Sequence, residues 1–333
     1  MANDTFDSMI DQLSRCRRVL ITTHVRPDGD ALGTCAAMSL GLAHKKIDSE
    51  VLLLSHLPKK YAFVFEESRI QYRDVEAGWP EDFSLDSYDA FLALDTGTWS
   101  QLPGMEAKLA NFKKPKLVLD HHLTQQNWAD VLLVDTTAAA AGEIAAELLE
   151  RWKVPMDSTI ASALYLAIVT DTGWFQFSNT SPRTLRLAAK LMEAGVNTDL
   201  IYKRLYQNER PQRLALQTRA QGTMELFAGD RLAVMRVRKE DFEQTHSSMN
   251  DTENLINIPL QIRTVEVSIL ITEPKDDADI RISLRSKGSV DVAKFAEQFG
   301  GGGHARASGL RIPGKFEDAR DRVVNAMIRQ LEK

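Results

Sequence analysis

The sequence predicts an α/β protein, with a mostly parallel sheet flanked by helices in an N-terminal domain and a smaller α/β domain at the C-terminal end. Short apolar runs alternate with helical patterns through the first half of the chain, which is typical of βαβ units. Strand-like runs return in the last third, after a long charged helical stretch. A length of 333 residues fits two domains at roughly 100–200 residues each.

The elements of the first half follow from buried apolar runs and from helical periodicity. The predicted strands are 19–23, 50–55, 88–94, 116–119 and 131–134. The predicted helices are 31–45, 138–152 and 157–170. In a parallel sheet of this kind, ligands bind beyond the carboxyl ends of the strands, so we expect a functional site at that edge.

The second half begins with a helical and charged stretch over 181–223. The strands predicted after it are 231–237, 265–272 and 279–285, and the predicted helices are 290–299 and 316–331. We place the two domains at 1–190 and 216–333, with a helical connector over 191–215 between them. We expect the active-site cleft to lie between the two domains.

The composition limits the class of protein. A net charge of −5 disfavours a protein that coats long nucleic acid, although it is compatible with a small phosphorylated ligand. Cys16 and Cys35 form no CxxC pair, which makes a zinc ribbon or a disulfide framework improbable. The N-terminus is polar, and the apolar run 160–169 is too short to span a bilayer. We therefore expect a cytoplasmic protein without a membrane partner.

The first chemical motif is the segment 24–33, His-Val-Arg-Pro-Asp-Gly-Asp-Ala-Leu-Gly, which directly follows the first predicted strand. His24, Asp28 and Asp30 lie within seven residues there, and imidazole with carboxylate is a ligand set for divalent metals such as manganese. The alternative is an ordinary strand-to-helix turn in which Asp30 caps the helix.

Further candidate ligands occur where later elements end. Asp95 ends the apolar run 88–94, the triplet Asp120-His121-His122 follows the strand 116–119, and Asp171 ends the predicted helix 157–170. Each aspartate taken alone also fits a turn residue. Because the carboxyl ends of parallel strands share one edge of the sheet, the residues that follow these strands should lie close together.

The C-terminal half contains a glycine run that ends in a histidine. Its candidate ligand-binding residues are Gly301, Gly302, Gly303 and His304. Consecutive glycines let the backbone approach an anion closely, although a flexible turn is the alternative. Arg281 and Arg285 lie four residues apart on a predicted strand and therefore share a face, where arginine suits phosphate binding. A solvated edge strand would explain the two arginines equally well.

Taken in order, these motifs resemble those of the DHH phosphoesterase superfamily, which is named after the triplet present here as Asp120-His121-His122. The string 301–309, Gly-Gly-Gly-His-Ala-Arg-Ala-Ser-Gly, is similar to the signature of the associated substrate-binding domain. The resemblance covers nearly the whole chain, and no expected ligand is missing. Length and layout are most similar to the bifunctional oligoribonucleases that also act on 3′-phosphoadenosine-5′-phosphate.

The resemblance implies a site for two divalent metal ions, expected to be Mn²⁺. One ion would be held by His24, Asp28 and Asp95, and the other by Asp30, Asp95, His121 and Asp171, so that Asp95 bridges them. His122 would contact the substrate phosphate or protonate the leaving group. Asp120 would assist catalysis by accepting a hydrogen bond from a ligating histidine. Substrate would bind at Arg281, Arg285 and the segment 301–304.

The implied activity is hydrolysis of very short oligoribonucleotides and removal of the 3′-phosphate of 3′-phosphoadenosine-5′-phosphate by a hydroxide that the two ions activate. A phosphodiesterase for linear or cyclic dinucleotides is the alternative, because it would use the same site. A nucleotide-binding regulator without turnover is disfavoured, since every expected ligand is present. Long nucleic acid is not expected as a partner. A homodimer is compatible with the sequence.

Overall fold

A computed structural model of the protein describes residues 2–80, 83–275 and 279–332. The chain divides into two units, Met1–Gln207 and Asn208–Lys333. The segment 191–215, which the sequence analysis assigned to a connector, spans this division. Helix Thr198–Tyr206 lies in the first unit, and helix Pro211–Gly222 lies in the second.

The first unit contains a six-stranded sheet whose neighbouring strands are all parallel, which confirms the predicted sheet type. The strands are β1 Arg18–Thr23, β2 Asp48–Leu53, β3 Tyr72–Asp74, β4 Ala90–Leu94, β5 Lys116–Asp120 and β6 Val131–Val134. Their spatial order is β3-β2-β1-β4-β5-β6, so the direction of winding reverses between β1 and β4. The short strand β3 was not predicted, because its sequence is polar and partly exposed.

Helices cover both faces of this sheet and enclose two apolar clusters. The helices are α1 Ala2–Ser14, α2 Gly29–His44, α3 Ala62–Glu67, α4 Met105–Leu109, α5 Ala141–Arg151, α6 Ser158–Asp171, α7 Pro182–Glu193 and α8 Thr198–Tyr206. Helices α2 and α6 are apolar on nearly every side, which allows them to be buried against each other. A Cβ atom at Gly33 would lie 2.4 Å from the carbonyl oxygen of Ala163, so glycine permits this close crossing.

The second unit contains a mixed six-stranded sheet with the order β11-β12-β10-β9-β8-β7, in which only β8 and β9 pair in parallel among the described strands. The strands are β7 Glu225–Phe227, β8 Leu232–Val237, β9 Val267–Thr272, β10 Asp279–Ser286, β11 Gly302–His304 and β12 Ala307–Pro313. The helices are α9 Pro211–Gly222, α10 Lys239–Thr245, α11 Val292–Glu297 and α12 Phe316–Leu331. Alternate residues of β10 enter the apolar core, which leaves Arg281 and Arg285 together on the opposite face.

Part of the glycine run is a strand, and this differs from the loop that the sequence suggested. Gly302–His304 pairs with β12, which the sequence analysis also missed. Glycine has low strand propensity, so the pairing follows from close backbone packing and not from a local signal. A Cβ atom at Gly301 would lie 2.4 Å from the Gly309 carbonyl oxygen, and one at Gly303 would lie 2.6 Å from that of Ala307.

Within the described ranges, the helices offer no segment with the length and apolar character that crossing a membrane requires.

Candidate metal centre

The carboxyl edge of the first-unit sheet brings the predicted ligands together. His24 follows β1 and Asp95 follows β4, so both lie where the winding reverses, which is the usual ligand site of such sheets. Three groups of side chains have one potential ligand atom each within 4.8 Å of one another. These groups are His24, Asp28 and Asp95; Asp30, His121 and Asp171; and Asp95, His121 and His122.

Asp95 occupies the centre of the cluster. Its backbone adopts a left-handed conformation with φ of 60°, and its N–H donates to the Leu119 carbonyl oxygen at 2.9 Å. Its Oδ2 lies 3.5 Å from His24 Nε2, and its Oδ1 lies 3.4 Å from His121 Nε2. Oδ1 is buried and accepts no hydrogen bond from any described residue. The Asp95 carboxylate therefore faces both His24 and His121.

The backbone orients both ligand histidines. Nδ1 of His24 lies 3.0 Å from the Val25 carbonyl oxygen, and Nδ1 of His121 lies 3.3 Å from that of Ala138. Because a carbonyl only accepts, each Nδ1 holds the proton and donates it. Each Nε2 therefore faces the carboxylates and is the ring atom that could bind a metal ion.

Asp30 is anchored at the start of α5. Its Oδ2 accepts from the N–H of Ala141 at 2.6 Å, and its Oδ1 accepts from the N–H of Gly142 at 3.0 Å and from the Thr34 hydroxyl at 3.1 Å. The helix N-terminus favours negative charge at this buried position. The sequence analysis offered Asp30 as a helix cap of α2, and this was wrong. Asp28 caps α2, with its Oδ1 accepting from the N–H groups of Asp30 and Ala31.

The remaining carboxylates complete the cluster from two helices. Asp171, the last residue of α6, places Oδ2 at 3.6 Å from His121 Nε2, and Asp30 Oδ2 lies 3.7 Å from the same nitrogen. Asp28 Oδ1 lies 3.9 Å from His24 Nε2. Burial raises the pKa of Asp171 to about 6, with the negative charges of Asp95 and Asp28 adding to the rise against the opposing effect of His121.

The cluster concentrates negative charge around its two histidines. Burial would lower the pKa values of the two histidines, but the neighbouring carboxylates raise that of His24 to about 9 and that of His121 to about 10. Burial, together with Asp95, holds the pKa of Asp30 well above its ordinary value. In the described part of the chain, no lysine or arginine pairs with the four clustered aspartates.

The spacing of the ligand atoms fits metal coordination better than hydrogen bonding. The contacts between histidine nitrogens and carboxylates are 3.4–3.9 Å long, whereas N–H···O hydrogen bonds are usually about 2.7–3.2 Å. Ligand atoms bound to one ion at about 2.0–2.2 Å lie roughly 3.0–3.6 Å apart. The unpaired Oδ1 of Asp95 and the two oriented imidazoles therefore fit the coordination of divalent metal ions.

Asp120 and His122 form a separate pair at the same edge. Asp120 is fully buried, and its Oδ1 accepts from His122 Nδ1 at 2.8 Å. We expected Asp120 to accept from a ligating histidine. The ring that donates to Asp120 is that of His122, whereas Nδ1 of His121 faces the Ala138 carbonyl oxygen. More than half of the His122 side chain is exposed, which leaves its Nε2 available to a bound molecule.

Two amides that the sequence analysis did not identify support this edge. Gln125 Nε2 donates to Asp120 Oδ2 at 2.6 Å and to the His122 carbonyl oxygen at 2.9 Å. Asn179 Nδ2 donates to the carbonyl oxygens of Ala139 and Asp171 at 3.0 and 3.1 Å. Neither residue belongs to a motif with fixed spacing, so only the folded loops could identify them.

The candidate substrate-binding residues all lie in the second unit. The guanidinium of Arg285 is half-buried, and Nη1 donates to the Leu284 carbonyl oxygen at 3.0 Å. No carboxylate of the described residues pairs with Arg285, and burial lowers its pKa. A Cβ atom at Gly302 would meet nothing within 4 Å, unlike one at Gly301 or Gly303, and His304 is exposed. Gly302 and His304 are thus open to a ligand, whereas Gly301 and Gly303 are required by packing.

Comparison with known proteins agrees with this organisation. The model "DHH family, N-terminal domain" matches residues 18–168, and the model "DHHA1 domain" matches residues 229–333. A bifunctional oligoribonuclease and PAP phosphatase NrnA from Thermus thermophilus is 30% identical over 94% of this chain and 90% of its own length. The Bacillus subtilis protein of the same name is 24% identical over 91% of this chain and 92% of its own length.

Solved structures share the fold. An exopolyphosphatase-related protein from Bacteroides fragilis has a TM-score of 0.80 and 23% identity over 100% of this chain and 98% of its own. An exonuclease RecJ bound to manganese has a TM-score of 0.55 and 13% identity over 98% of this chain and 94% of its own. With both domain models matched in order and a relative of 30% identity aligned over nearly its whole length, the chain belongs to the DHH family of phosphoesterases and contains a DHHA1 domain.

Proposed function

We propose that this protein uses two divalent ions, with Mn²⁺ as the expected metal, to hydrolyse very short oligoribonucleotides and to remove the 3′-phosphate of 3′-phosphoadenosine-5′-phosphate. The observation on which the proposal rests is the cluster of four aspartates around two histidines, centred on Asp95, with no lysine or arginine partner among the described residues. The names of the relatives from Thermus thermophilus and Bacillus subtilis support the substrate class. The manganese bound to exonuclease RecJ supports the metal.

The two groups of ligands would hold one ion each. His24, Asp28 and Asp95 would hold the first, and Asp30, Asp95, His121 and Asp171 the second. When bound, such ions polarise the phosphoryl oxygens and make water nucleophilic near neutral pH. The protein contributes by fixing the ligands before substrate arrives, since Asp30 is held by the start of α5 and both histidines by backbone carbonyls.

His122 would act on the substrate itself. Its Nδ1 donates to Asp120, so its Nε2 is the ring atom that can reach a phosphate or a leaving oxygen. Asp120 is buried and also accepts from the N–H groups of His121 and His122, which keeps the carboxylate fixed under the ring. Proton donation from His122 to the leaving oxygen is the role that this geometry supports best.

The second unit would bind the part of the substrate that does not react. Arg285 is a half-buried cation without a carboxylate partner among the described residues, as an anion-binding group should be. Gly302 and His304 offer open backbone and an imidazole, and Arg281 lies on the same strand face as Arg285. Binding of the substrate at a second position, away from the reacting phosphate, would favour short ligands over long chains. The free cysteines Cys16 and Cys35 are consistent with the cytoplasmic location that we propose for this activity.

A substrate panel tests the proposal. Purified protein should be stripped of metal, reloaded with Mn²⁺ or Mg²⁺, and assayed on a ribodinucleotide, a 24-residue RNA, 3′-phosphoadenosine-5′-phosphate and a cyclic dinucleotide. We expect turnover of the dinucleotide and of 3′-phosphoadenosine-5′-phosphate with Mn²⁺, and none after chelation. Full activity in chelator would contradict the metal role. Preference for the long RNA would contradict the substrate class, and preference for the cyclic dinucleotide would favour the alternative phosphodiesterase.

Substitutions in the second unit test substrate binding separately. Arg285→Met and Gly302→Ala should each raise KM for the dinucleotide about tenfold, while Mn²⁺ affinity stays unchanged. Gly222→Ala is the matched control, because a Cβ atom there also meets nothing within 4 Å. An unchanged KM in both variants would show that the glycine strand does not bind substrate.

A further inference from the structure

Gln125 makes the contacts of a residue that positions a catalytic pair. Its Nε2 lies 2.6 Å from Asp120 Oδ2 and 2.9 Å from the carbonyl oxygen of His122. Both neighbours only accept hydrogen bonds, so the amide must present its nitrogen to them and its oxygen to the other side. The orientation of the amide therefore follows from its two acceptor neighbours, which require the nitrogen on their side.

Gln125 completes the hydrogen bonding of a fully buried carboxylate. Asp120 Oδ1 accepts from the N–H groups of His121 and His122 and from His122 Nδ1. Among the described residues, Gln125 is the donor to Oδ2. Without it, a buried carboxylate oxygen would lack a partner, and the carboxylate could rotate away from the histidine ring. The amide thus contacts the same carboxylate that holds His122 Nδ1.

The amide also joins two loops of the candidate centre. A Cβ atom at Gly97 would lie 1.7 Å from Gln125 Oε1, so the amide occupies the space that a side chain at position 97 would need. Gly97 lies two residues after Asp95, in the loop that follows β4, whereas Gln125 is in the loop that follows β5. The contact sets the distance between the loop with Asp95 and the loop with His122.

We propose that Gln125 is a positioning residue that holds Asp120 so that His122, in its imidazolium form, donates Nδ1–H to Asp120 and presents Nε2–H to the leaving oxygen of the substrate. This inference rests on the proposed function. In the step that it serves, the oxygen of water bonds to phosphorus while the bond from phosphorus to the leaving oxygen breaks. The leaving oxygen takes the Nε2 proton of His122, and the proton lost by the attacking water restores it.

Two substrates that differ in their leaving group test the role. A ribodinucleotide releases a ribose hydroxyl and needs proton donation, whereas a p-nitrophenyl ester of a nucleoside monophosphate releases a stable phenolate and does not. Gln125→Met keeps the length of the side chain but removes the donor. We expect kcat on the dinucleotide to fall about 100-fold and kcat on the nitrophenyl ester to fall less than about threefold.

The adjacent Gln126 provides a matched control. It lies in the same loop and also contacts the loop after β4, because its Oε1 accepts from the Trp99 N–H at 2.6 Å, but no contact to Asp120 is present. Gln126→Met should leave both kcat values within about threefold of the wild type. Equal losses on the two substrates in Gln125→Met, or the same selective loss in Gln126→Met, would overturn the proposal.

A measurement without turnover gives an independent test. Long-range ¹H–¹⁵N spectra of the metal-free protein should show His122 Nδ1 fully protonated in the wild type and in Gln126→Met, and only partly protonated in Gln125→Met. Gln125→Asn keeps a donor and should therefore retain part of the dinucleotide activity that Gln125→Met loses. In a protein that already contains His122→Asn, adding Gln125→Met should cause no further loss of that activity. A wild-type protein inactive on both esters with Mn²⁺ contradicts the proposed function, whereas an active wild type whose His122 Nδ1 protonation is unchanged in Gln125→Met contradicts only the role of Gln125.

Discussion

The two edges of the first-unit sheet contain the same kinds of charged residue in opposite electrostatic settings. Near the amino ends of the strands, Glu50 accepts from Arg18, Arg73 and the Tyr88 hydroxyl. Asp89 accepts from the backbone N–H groups of Arg17 and Arg18. At the carboxyl edge, the carboxylates of Asp30, Asp95 and Asp171 instead converge on one nitrogen of His121.

This difference separates carboxylates that stabilise the fold from carboxylates that form a candidate cation site. A paired carboxylate has a lowered pKa and contributes to stability, as at Glu50 and Asp89. A group of carboxylates that face one another costs stability unless positive charge is added, and such groups are concentrated at functional sites. Burial alone does not distinguish the two, because Glu50 and Asp95 are both largely buried.

Substitutions at Asp89 and Asp95, the two aspartates that flank β4, should differ the most in their effects on kcat and on Mn²⁺ binding. Asp95→Asn keeps the shape of the side chain, and asparagine tolerates the left-handed backbone, so the fold should remain intact. Loss of the shared carboxylate should lower kcat by at least about 10³-fold and weaken Mn²⁺ binding. Steady-state assays on the dinucleotide and calorimetric Mn²⁺ titration provide the measurement.

Asp89→Asn is the matched control, because it changes the same residue type one position before β4. Its oxygen still accepts from the backbone, so we expect a loss of about 1 kcal/mol in the free energy of unfolding. Activity and Mn²⁺ affinity should not change. The contrast between the edges fails if Asp89→Asn impairs turnover as strongly as Asp95→Asn does.

Glu50→Gln should lower stability without changing activity. The substitution weakens the contacts of a buried carboxylate with a buried tyrosine and two partly exposed arginines, and we expect a loss of about 1–3 kcal/mol in the free energy of unfolding. Urea unfolding at neutral pH measures this value. A kcat on the dinucleotide that fell more than about threefold would mean that the amino edge also serves the reaction.

The pH dependence of this stability difference has a definite sign. Burial alone would raise the pKa of Glu50, but hydrogen bonds from Tyr88 and Arg73 and the charge of Arg18 lower it. The stabilisation is therefore fully present above the unfolded pKa of about 4.3 and is lost as pH falls through the lower folded value. The gap between wild type and Glu50→Gln should be widest at neutral pH and should shrink under acid. A gap independent of pH would show that the charge of Glu50 is not its cause.

The sequence was sufficient to predict which side chains cluster at the carboxyl edge, because the rules that place them there are local. Buried runs predict the strands, and the residue after each strand must lie at the carboxyl edge of a parallel sheet. His24 and Asp95 could be placed together on this basis. The partners of Asp120 could not, since they depend on how the loop after β5 folds back to bring Gln125 under the triplet.

Long-range backbone packing was the other limit of sequence-based prediction. The strand Gly302–His304 forms because its glycines permit close contact with β12, a feature for which the sequence has no local signal. Asp30 contacts the start of α5, which is more than one hundred residues away in the chain. Neither contact is visible from periodicity, which describes only neighbours along one element.

The smallest expected effects come from two residues with left-handed backbones, one near each edge of the sheet. Substituting them should change stability alike but kinetics differently. Arg26 and Lys46 both have left-handed backbones, with φ of 55° and 61°. Replacing either with glycine removes the steric cost and should raise the free energy of unfolding by about 0.5–1 kcal/mol. Lys46→Gly, after the C-terminal end of α2, should leave kinetics unchanged.

Arg26→Gly should gain similar stability but raise KM for the dinucleotide several-fold. The exposed Arg26 lies between His24 and Asp28, and it pairs with no carboxylate in the described ranges, so its charge is available to an anionic substrate. Thermal unfolding and steady-state kinetics on both variants measure the two effects. If Arg26→Gly gained stability with KM unchanged, the left-handed turn would be a structural cost of placing the two ligands and not a means of presenting a cation to substrate.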